Sequence, residues 1–142
     1  MRPALLALTL VFASASLAQE MPGVDNAARA KVNYMLNCQG CHGADGAGTA
    51  DGAVPTMKNF LGNFLAVPEG REFLIRVPGS ANAALSDAAL AEVLNWMLVQ
   101  ISPAQLSGGF EPYTEAEVAR WRQAPLDDVI TERAKLIARM EP

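Results

Sequence analysis

The sequence predicts an all-α fold. Alanine and leucine are frequent and β-branched residues are sparse, a composition that favours helices over strands. Apolar residues recur at the spacing of an amphipathic helix in several segments of the chain. With 142 residues, 51% of them apolar, the chain has the length of one domain and enough apolar surface for one core.

The first 18 residues have the three parts of a secretory signal. Arg2 gives an early positive charge, an apolar run follows over residues 4–13, and small residues precede a cut after Ala18. This run is too short to cross a bilayer, which takes about 20 residues. An uncleaved membrane anchor is the alternative. We therefore predict a signal peptide at residues 1–18, a mature chain in the periplasm and no stable membrane span.

The mature chain is predicted to be acidic. Without Arg2, the eleven lysine and arginine residues fall to ten, against fifteen aspartate and glutamate residues. This balance disfavours nucleic acid as a partner, because phosphates require a basic face. It is compatible with electrostatic steering towards a basic patch on another protein.

A first helix is predicted over residues 26–37, with Asp25 as its N-cap. Two sets of residues in this helix have helical spacing, and we expect both sets to pack in the core. They are the pair Ala30 and Tyr34, and the group Ala28, Val32, Met35 and Leu36.

The segment that carries chemistry is Cys38-Gln39-Gly40-Cys41-His42, which contains both cysteines and the single histidine of the chain. A zinc site needs four ligands, whereas this segment offers three and two of them are adjacent. A dithiol redox motif normally follows a strand in a βαβ unit, but the flanks here favour helix. A structural disulfide suits an exported protein but gives His42 no role.

Covalent attachment of a haem explains all three side chains. Two thiols separated by two residues can reach the two vinyl groups at one haem edge, and a histidine directly after the second thiol can bind the iron. We therefore predict one haem c, with Cys38 and Cys41 as its thioether residues and His42 as the proximal axial iron ligand.

Loops and short apolar segments follow this motif. Residues 43–52 are rich in glycine and lack periodicity, so we predict a loop, and its residues match neither a calcium-binding nor a phosphate-binding pattern. A short helix is predicted over residues 58–65. Residues 72–77 are ambiguous between helix and strand, and we favour helix.

The clearest helix has Ser86 as its predicted N-cap and ends before Pro103. Asp87 suits the positive end of its dipole. One wide apolar face is predicted to pack in the core, with Trp96 beside it. This face consists of Leu90, Val93, Leu94, Met97, Leu98 and Ile101.

Residues 103–142 form a predicted amphipathic helical extension. Thr114 and Glu117 have the spacing of a capping box before a helix over residues 115–123. A second helix follows Pro125, and we expect it to lie on the preceding domain. The residues that recur at helical spacing in it are Leu126, Val129, Ile130, Arg133, Leu136, Ile137 and Met140.

With this motif and its flanks, residues 25–101 resemble the class I, or mitochondrial-type, c-type cytochromes. The resemblance implies a small cytochrome c-like helical fold around one covalent haem, and we assign it to residues 19–102. It also implies that Ala30 and Tyr34 of the first helix meet Trp96 of the last helix.

The resemblance implies further roles around the iron. The carbonyl of Pro55 is expected to accept a hydrogen bond from the ring N–H of His42. The family presents a methionine on a loop before the last helix, whereas residues 76–85 contain none. Met57 is therefore the first candidate for the sixth iron ligand. The alternatives are Met97, Met140 and an open or water-bound position.

The resemblance implies an electron carrier and not an enzyme. Haem iron cycles between ferrous and ferric states, so we expect single electrons to pass from a dehydrogenase to a downstream acceptor such as an oxidase. Contact would occur at the haem edge near residues 43–52. The missing loop methionine motivates an alternative, a haem-based ligand-binding or sensing protein. The amphipathic extension motivates another, an electron-transfer subunit of a dehydrogenase complex.

Overall fold

The structure is a computed structural model that describes residues 21–106 and 108–140. Within these ranges the fold is all-α, as predicted, and no strand is present. The predicted signal peptide at residues 1–18 lies outside the described residues. The helices are α1 (Ala27–Asn37), α2 (Gln39–His42), α3 (Gly70–Arg76), α4 (Pro78–Ala81), α5 (Asp87–Ile101), α6 (Glu115–Trp121) and α7 (Val129–Ala138), with 3₁₀ helices at Leu61–Ala66 and Pro103–Leu106.

Helix α1 packs against α5 through the pair of residues that the family resemblance implies. Ala30 and Tyr34 are buried, and the ring of Tyr34 lies 5.4 Å from the ring of Trp96. The N-cap of α1 is Asn26 and not the predicted Asp25, because the Asn26 side chain accepts a hydrogen bond from the backbone N–H of Arg29 at 2.9 Å. This packing sets the direction in which α1 enters the cysteine motif.

The second apolar set of α1 is not in the core, and that prediction was wrong. Val32, Met35 and Leu36 are 51%, 50% and 77% exposed. At 100° per residue, Val32 lies about 200° round the helix from Ala30, so one neighbouring helix cannot cover both faces. An exposed apolar strip therefore runs along α1 towards Cys38.

Helix α5 forms the centre of the core, as predicted. Its N-cap is Ser86, whose hydroxyl accepts a hydrogen bond from the backbone N–H of Ala89 at 3.2 Å. Two polar residues, Glu92 and Asn95, are also buried on this helix. The predicted apolar residues of the helix are all buried: Leu90, Val93, Leu94, Met97, Leu98 and Ile101.

The predicted helix over residues 58–65 is replaced by the 3₁₀ helix at Leu61–Ala66. Asn59 has a φ of 52°, in the left-handed region, so an α-helix cannot run through it. The ambiguous stretch after it is helical, as predicted, and forms α3. Its first residue is Gly70, where a side chain would collide with the Phe64 carbonyl.

The C-terminal segment packs back onto the rest of the chain, as expected. Thr114 caps α6 by accepting a hydrogen bond from the N–H of Glu117 at 3.2 Å. The predicted capping box is incomplete, because the Glu117 carboxylate instead accepts two hydrogen bonds from Arg71 on α3, at 3.0 and 2.8 Å. On α7, Leu136 is buried whereas Ile130 is 84% exposed. The apolar face of this segment is thus partly buried against the rest of the chain.

Candidate functional site

The cysteine motif lies on a single turn that begins where α1 ends. The backbone N–H of Cys38 donates to the carbonyl of Tyr34 at 2.9 Å and completes α1. The N–H groups of Cys41 and His42 both donate to the carbonyl of Cys38, at 3.2 and 3.1 Å. The two cysteines and the histidine are therefore brought together by backbone hydrogen bonds of one short helix.

These side chains open onto a cavity of about 330 Å³, within the size range of small-molecule sites. Two aromatic rings of its wall, Phe64 and Phe73, stack with centroids 5.0 Å apart. The wall is mostly apolar and comes from the end of α1, from α2, from the segment 54–64 and from α3, α4, α5 and α7. The described lining residues are Asn37, Cys38, Cys41, His42, Val54, Pro55, Thr56, Met57, Phe60, Leu61, Phe64, Phe73, Leu74, Val77, Pro78, Gly79, Ser80, Leu94, Met97, Val129 and Arg133.

Both thiols are free, and Cys38 is half-buried. Burial, with a smaller contribution from Cys41, raises the pKa of the Cys38 thiol to about 11. A dithiol redox site needs a thiol pKa lowered below its ordinary value, so this environment disfavours that chemistry. No group of three or more histidine, cysteine or acidic side chains within the described ranges is arranged to hold a bare metal ion.

The imidazole of His42 is suited to binding iron inside an apolar site. Its Nδ1 atom is buried and has no hydrogen-bond partner in the described part of the chain. Burial lowers the pKa of His42 and so favours the neutral imidazole, which is the form that binds metals. A planar ligand that carries its own iron and offers apolar surface fits this cavity, these thiols and this imidazole.

Pro55 lines the same cavity but does not make the contact that the resemblance implies. Because Nδ1 of His42 has no partner, the expected hydrogen bond to the Pro55 carbonyl is not formed in this structure. That carbonyl packs against Gly48, where an added Cβ would lie 2.9 Å from its oxygen. Gly48 in turn donates its N–H to the carbonyl of His42 at 3.0 Å, which holds the loop against the motif.

The three methionine candidates for an iron ligand occupy different places. Met57 and Met97 both line the cavity and are otherwise buried in the core. Met140 packs against the core but is not among the residues that line the cavity. The segment where the family carries its methionine contributes Val77, Pro78, Gly79 and Ser80 to the wall, and none of these has a sulfur atom.

Two residues of the cavity wall come from α7, and sequence analysis did not assign them to the site. Val129 and Arg133 line the cavity from the C-terminal helix. The available signal was an arginine among the regularly spaced apolar residues of an amphipathic helix. Such a position is unusual for a charged side chain unless it has a partner.

A larger hollow of about 600 Å³ lies on another part of the surface. Lys31, Asp45, Lys58 and Gln100 are among the residues that line it. It contains neither cysteine nor histidine, so the smaller cavity is the candidate site.

An all-α fold with two thiols and an imidazole on one turn at an apolar cavity defines a c-type cytochrome. The family model for cytochrome c matches residues 27–107, and the chain belongs to the cytochrome c family. In this family haem c is bound covalently, and Cys38 and Cys41 fit its CXXCH motif. The chain is therefore an electron-transfer haem protein and not an enzyme.

Cytochrome c-552 of Thermus thermophilus is similar to this chain. It is 34% identical over 125 residues, which cover 74% of this chain and 95% of the relative. Cytochrome c-552 of a named strain of the same organism, ATCC 27634 / DSM 579, is also 34% identical over 125 residues, with 74% and 84% covered. No solved structure matches the chain with significance.

Proposed function

We propose that Cys38 and Cys41 form thioether bonds to one haem, that His42 is its proximal axial ligand, and that the mature chain carries single electrons in the periplasm. The donor in this proposal is a dehydrogenase and the acceptor is a downstream redox protein. The observation that carries the proposal is the placement of both thiols and the imidazole on one turn at the mouth of one apolar cavity.

The haem supplies an iron that exchanges one electron without forming or breaking protein bonds. The chain supplies the surroundings. The apolar wall excludes water and lowers the local dielectric, which favours the less charged state of the iron site. Buried Tyr34 donates a hydrogen bond from its hydroxyl to the carbonyl of Gly43 at 2.6 Å, which fixes the residue after His42. This hydrogen bond thus links the packing of α1 on α5 to the residue that follows the imidazole.

The test of haem attachment uses the full chain produced in a strain with a haem maturation system. The expected product has the mass of the mature polypeptide plus one haem, and the haem stays bound under denaturing conditions. Replacing both thiols (Cys38→Ala with Cys41→Ala) is expected to abolish this covalent mass. The matched control replaces Ser80, another polar residue of the wall, with alanine and keeps the haem. Colourless wild-type protein with the bare polypeptide mass would contradict the proposal.

Export is tested by fractionation and N-terminal sequencing. We propose cleavage after Ala18, so the periplasmic fraction should contain a chain that begins at Gln19. The signal segment lies outside the described residues, and within those residues no helix is long and apolar enough to cross a bilayer. Recovery of uncleaved chain in the membrane fraction would support the anchor instead.

We propose Met57 as the first candidate for the sixth iron ligand, with Met97 as its competitor, because both sulfur atoms belong to residues of the wall. Met57→Leu and Met97→Leu conserve volume, so each costs less than about 1.5 kcal/mol of folding free energy. Resonance Raman spectra distinguish the cases, because only loss of the true ligand changes the iron from six-coordinate to five-coordinate. A six-coordinate spectrum in both variants would exclude both residues.

A second candidate function follows from the wall at residues 77–80, which has no sulfur atom. If the sixth position is open, the ferrous protein binds small gases and acts as a ligand-binding or sensing protein. Carbon monoxide titration of the wild-type protein tests this idea. Tight binding with a high-spin spectrum before addition favours sensing, and no spectral change favours a simple carrier.

A further inference from the structure

Helix α7 places a charged residue at the cavity. Among the described residues that line the cavity, Arg133 carries the one permanent charge and none has a carboxylate. Arg133 enters from the C-terminal helix, next to Val129. Its guanidinium lies 5.5 Å from the ring centroid of Phe60, another residue of the wall. The charge is therefore held at the edge of an apolar site.

Within residues 21–106 and 108–140, Arg133 has no acidic group within 4.0 Å and makes no side-chain hydrogen bond. Two other arginines of the C-terminal segment are paired with carboxylates. Arg122 contacts Asp87 at 2.8 Å, and Arg139, the residue that caps the end of α7, contacts Glu69 at 2.7 Å. Burial lowers the pKa of Arg133, which indicates that its charge is partly removed from water.

Partial removal of a guanidinium from water without an ion pair costs folding free energy. A carboxylate would restore the lost hydrogen bonds, and the planar fork of arginine matches it with two parallel bonds. Since the described cavity wall offers no carboxylate, the carboxylate that fits this geometry is one carried by an occupant of the cavity. A haem carries two propionate carboxylates.

We propose that Arg133 binds a haem propionate and thereby fixes α7 over the haem. The inference rests on the proposed function, because it needs the haem to occupy this cavity. Arg133 is in this respect a positioning residue that also adjusts the reduction potential. Ferric iron has one positive charge more than ferrous iron, so a nearby guanidinium disfavours the ferric state and raises the potential. It also keeps the propionate ionised to lower pH.

The experiment measures the reduction potential of the haem-loaded full chain as a function of pH. In Arg133→Gln the equilibrium constant for reduction is expected to fall about three- to tenfold, or about 30 to 60 mV at 59 mV per tenfold. In a plot of reduction potential against pH, the bend at acid pH is expected to move to higher pH by about one unit or more. Arg133→Lys keeps the charge and is expected to recover part of both values.

Arg139→Gln is the matched control, because it removes the same charge from the same end of the chain but from a pair with Glu69. Its potential and its pH profile are expected to match the wild type. A haem-loaded Arg133→Gln protein that behaves like Arg139→Gln overturns this inference and leaves the proposed function intact. Wild-type chain without covalent haem overturns both. If Arg133→Gln does not fold, equal potentials in Arg133→Lys and the wild type, with the same pH profile, count against the inference.

Discussion

Tyr34 and Trp96 lie with their ring centroids 5.4 Å apart and their planes tilted by 41°. The contact joins α1 to α5, and both rings are buried. The hydroxyl of Tyr34 also donates to the carbonyl of Gly43, the residue that directly follows His42. One side chain thus links the helix packing to the end of the haem-attachment motif, so the stability of the fold and the placement of the imidazole depend on the same residue.

Tyr34→Phe tests the polar part of this link. It removes the hydroxyl and leaves the Gly43 carbonyl with one hydrogen bond fewer, which is expected to cost about 1 kcal/mol of unfolding free energy. Tyr34→Ala also removes the ring and is expected to cost about 3–5 kcal/mol. Thermal unfolding of the haem-loaded protein measures both values.

Met35→Ala is the control for these variants, because Met35 is the next residue but is 50% exposed. It is expected to change stability by no more than about 0.5 kcal/mol. An equal loss in Met35→Ala and Tyr34→Ala would contradict the packing described for α1.

The pair of Arg29 and Glu92 predicts a pH-dependent stability. Burial by itself raises the pKa of Glu92, but hydrogen bonds from the Arg29 side chain and the backbone N–H of Asn26 outweigh it, and the pKa is lowered. A lowered folded-state pKa means that the stabilisation is complete above the ordinary glutamate value of about 4.3 and is lost as the pH falls through the folded value.

Glu92→Gln is therefore expected to lower the melting temperature by a few degrees near neutral pH. The difference from the wild type should shrink as the pH falls below the ordinary glutamate value of about 4.3, because the unfolded wild-type chain then binds a proton that the folded carboxylate, with its lowered pKa, does not yet bind. Melting curves across this range give the comparison. Glu132→Gln removes an exposed partner of Lys135 and should have no measurable cost at any pH. A loss in Glu92→Gln that stays constant down to acid pH would argue against a lowered pKa.

The sequence was most informative for contacts between residues that lie within a few positions of each other in the chain. Cys38, Cys41 and His42 are neighbours in the chain, so their meeting in space needs only a helical turn. The caps at Ser86 and Thr114 are local in the same way, since each depends on a hydrogen bond to a residue three positions on.

Contacts between residues that lie far apart in the sequence were not predictable from the spacing of residue types. Periodicity showed two apolar sets on α1 but not which of them faces α5, and Val32 proved exposed. The Glu117 carboxylate has a partner on α3, and this partner competes with the local cap. Arg133 reaches the cavity only because the C-terminal segment folds back. Its position among apolar residues was visible in the sequence, whereas its neighbour in space was not.

Gly70 allows α3 to start against the preceding turn. A side-chain carbon on Gly70 would collide with the backbone carbonyl of Phe64, and backbone cannot yield as a flexible side chain does. Gly70→Ala is therefore expected to destabilise the fold by about 1–3 kcal/mol, measured by chemical denaturation. Gly108→Ala is the matched control, since a side chain there would meet nothing within 4 Å and the residue does not line the cavity. It should be neutral or stabilise by about 0.4–1 kcal/mol. Similar losses in both variants would show that the collision with Phe64 is not the cause of the loss in Gly70→Ala.

Arg122 of the C-terminal segment braces the short connection that leads from α4 into α5. Its guanidinium donates to the carbonyls of Ala81, Ala83 and Leu85 and to the carboxylate of Asp87, at distances between 2.8 and 3.2 Å. Removing it leaves these acceptors without their donor, so Arg122→Gln is expected to cost about 2–3 kcal/mol. Hydrogen exchange should also accelerate over residues 81–87, next to the cavity wall. Arg120→Gln removes a stacking contact with Trp121 and, among the described residues, no hydrogen bond or ion pair, so it is expected to cost about 0.5–1 kcal/mol and to leave that exchange unchanged. Unchanged exchange over residues 81–87 in Arg122→Gln would mean that the connection is rigid without the brace.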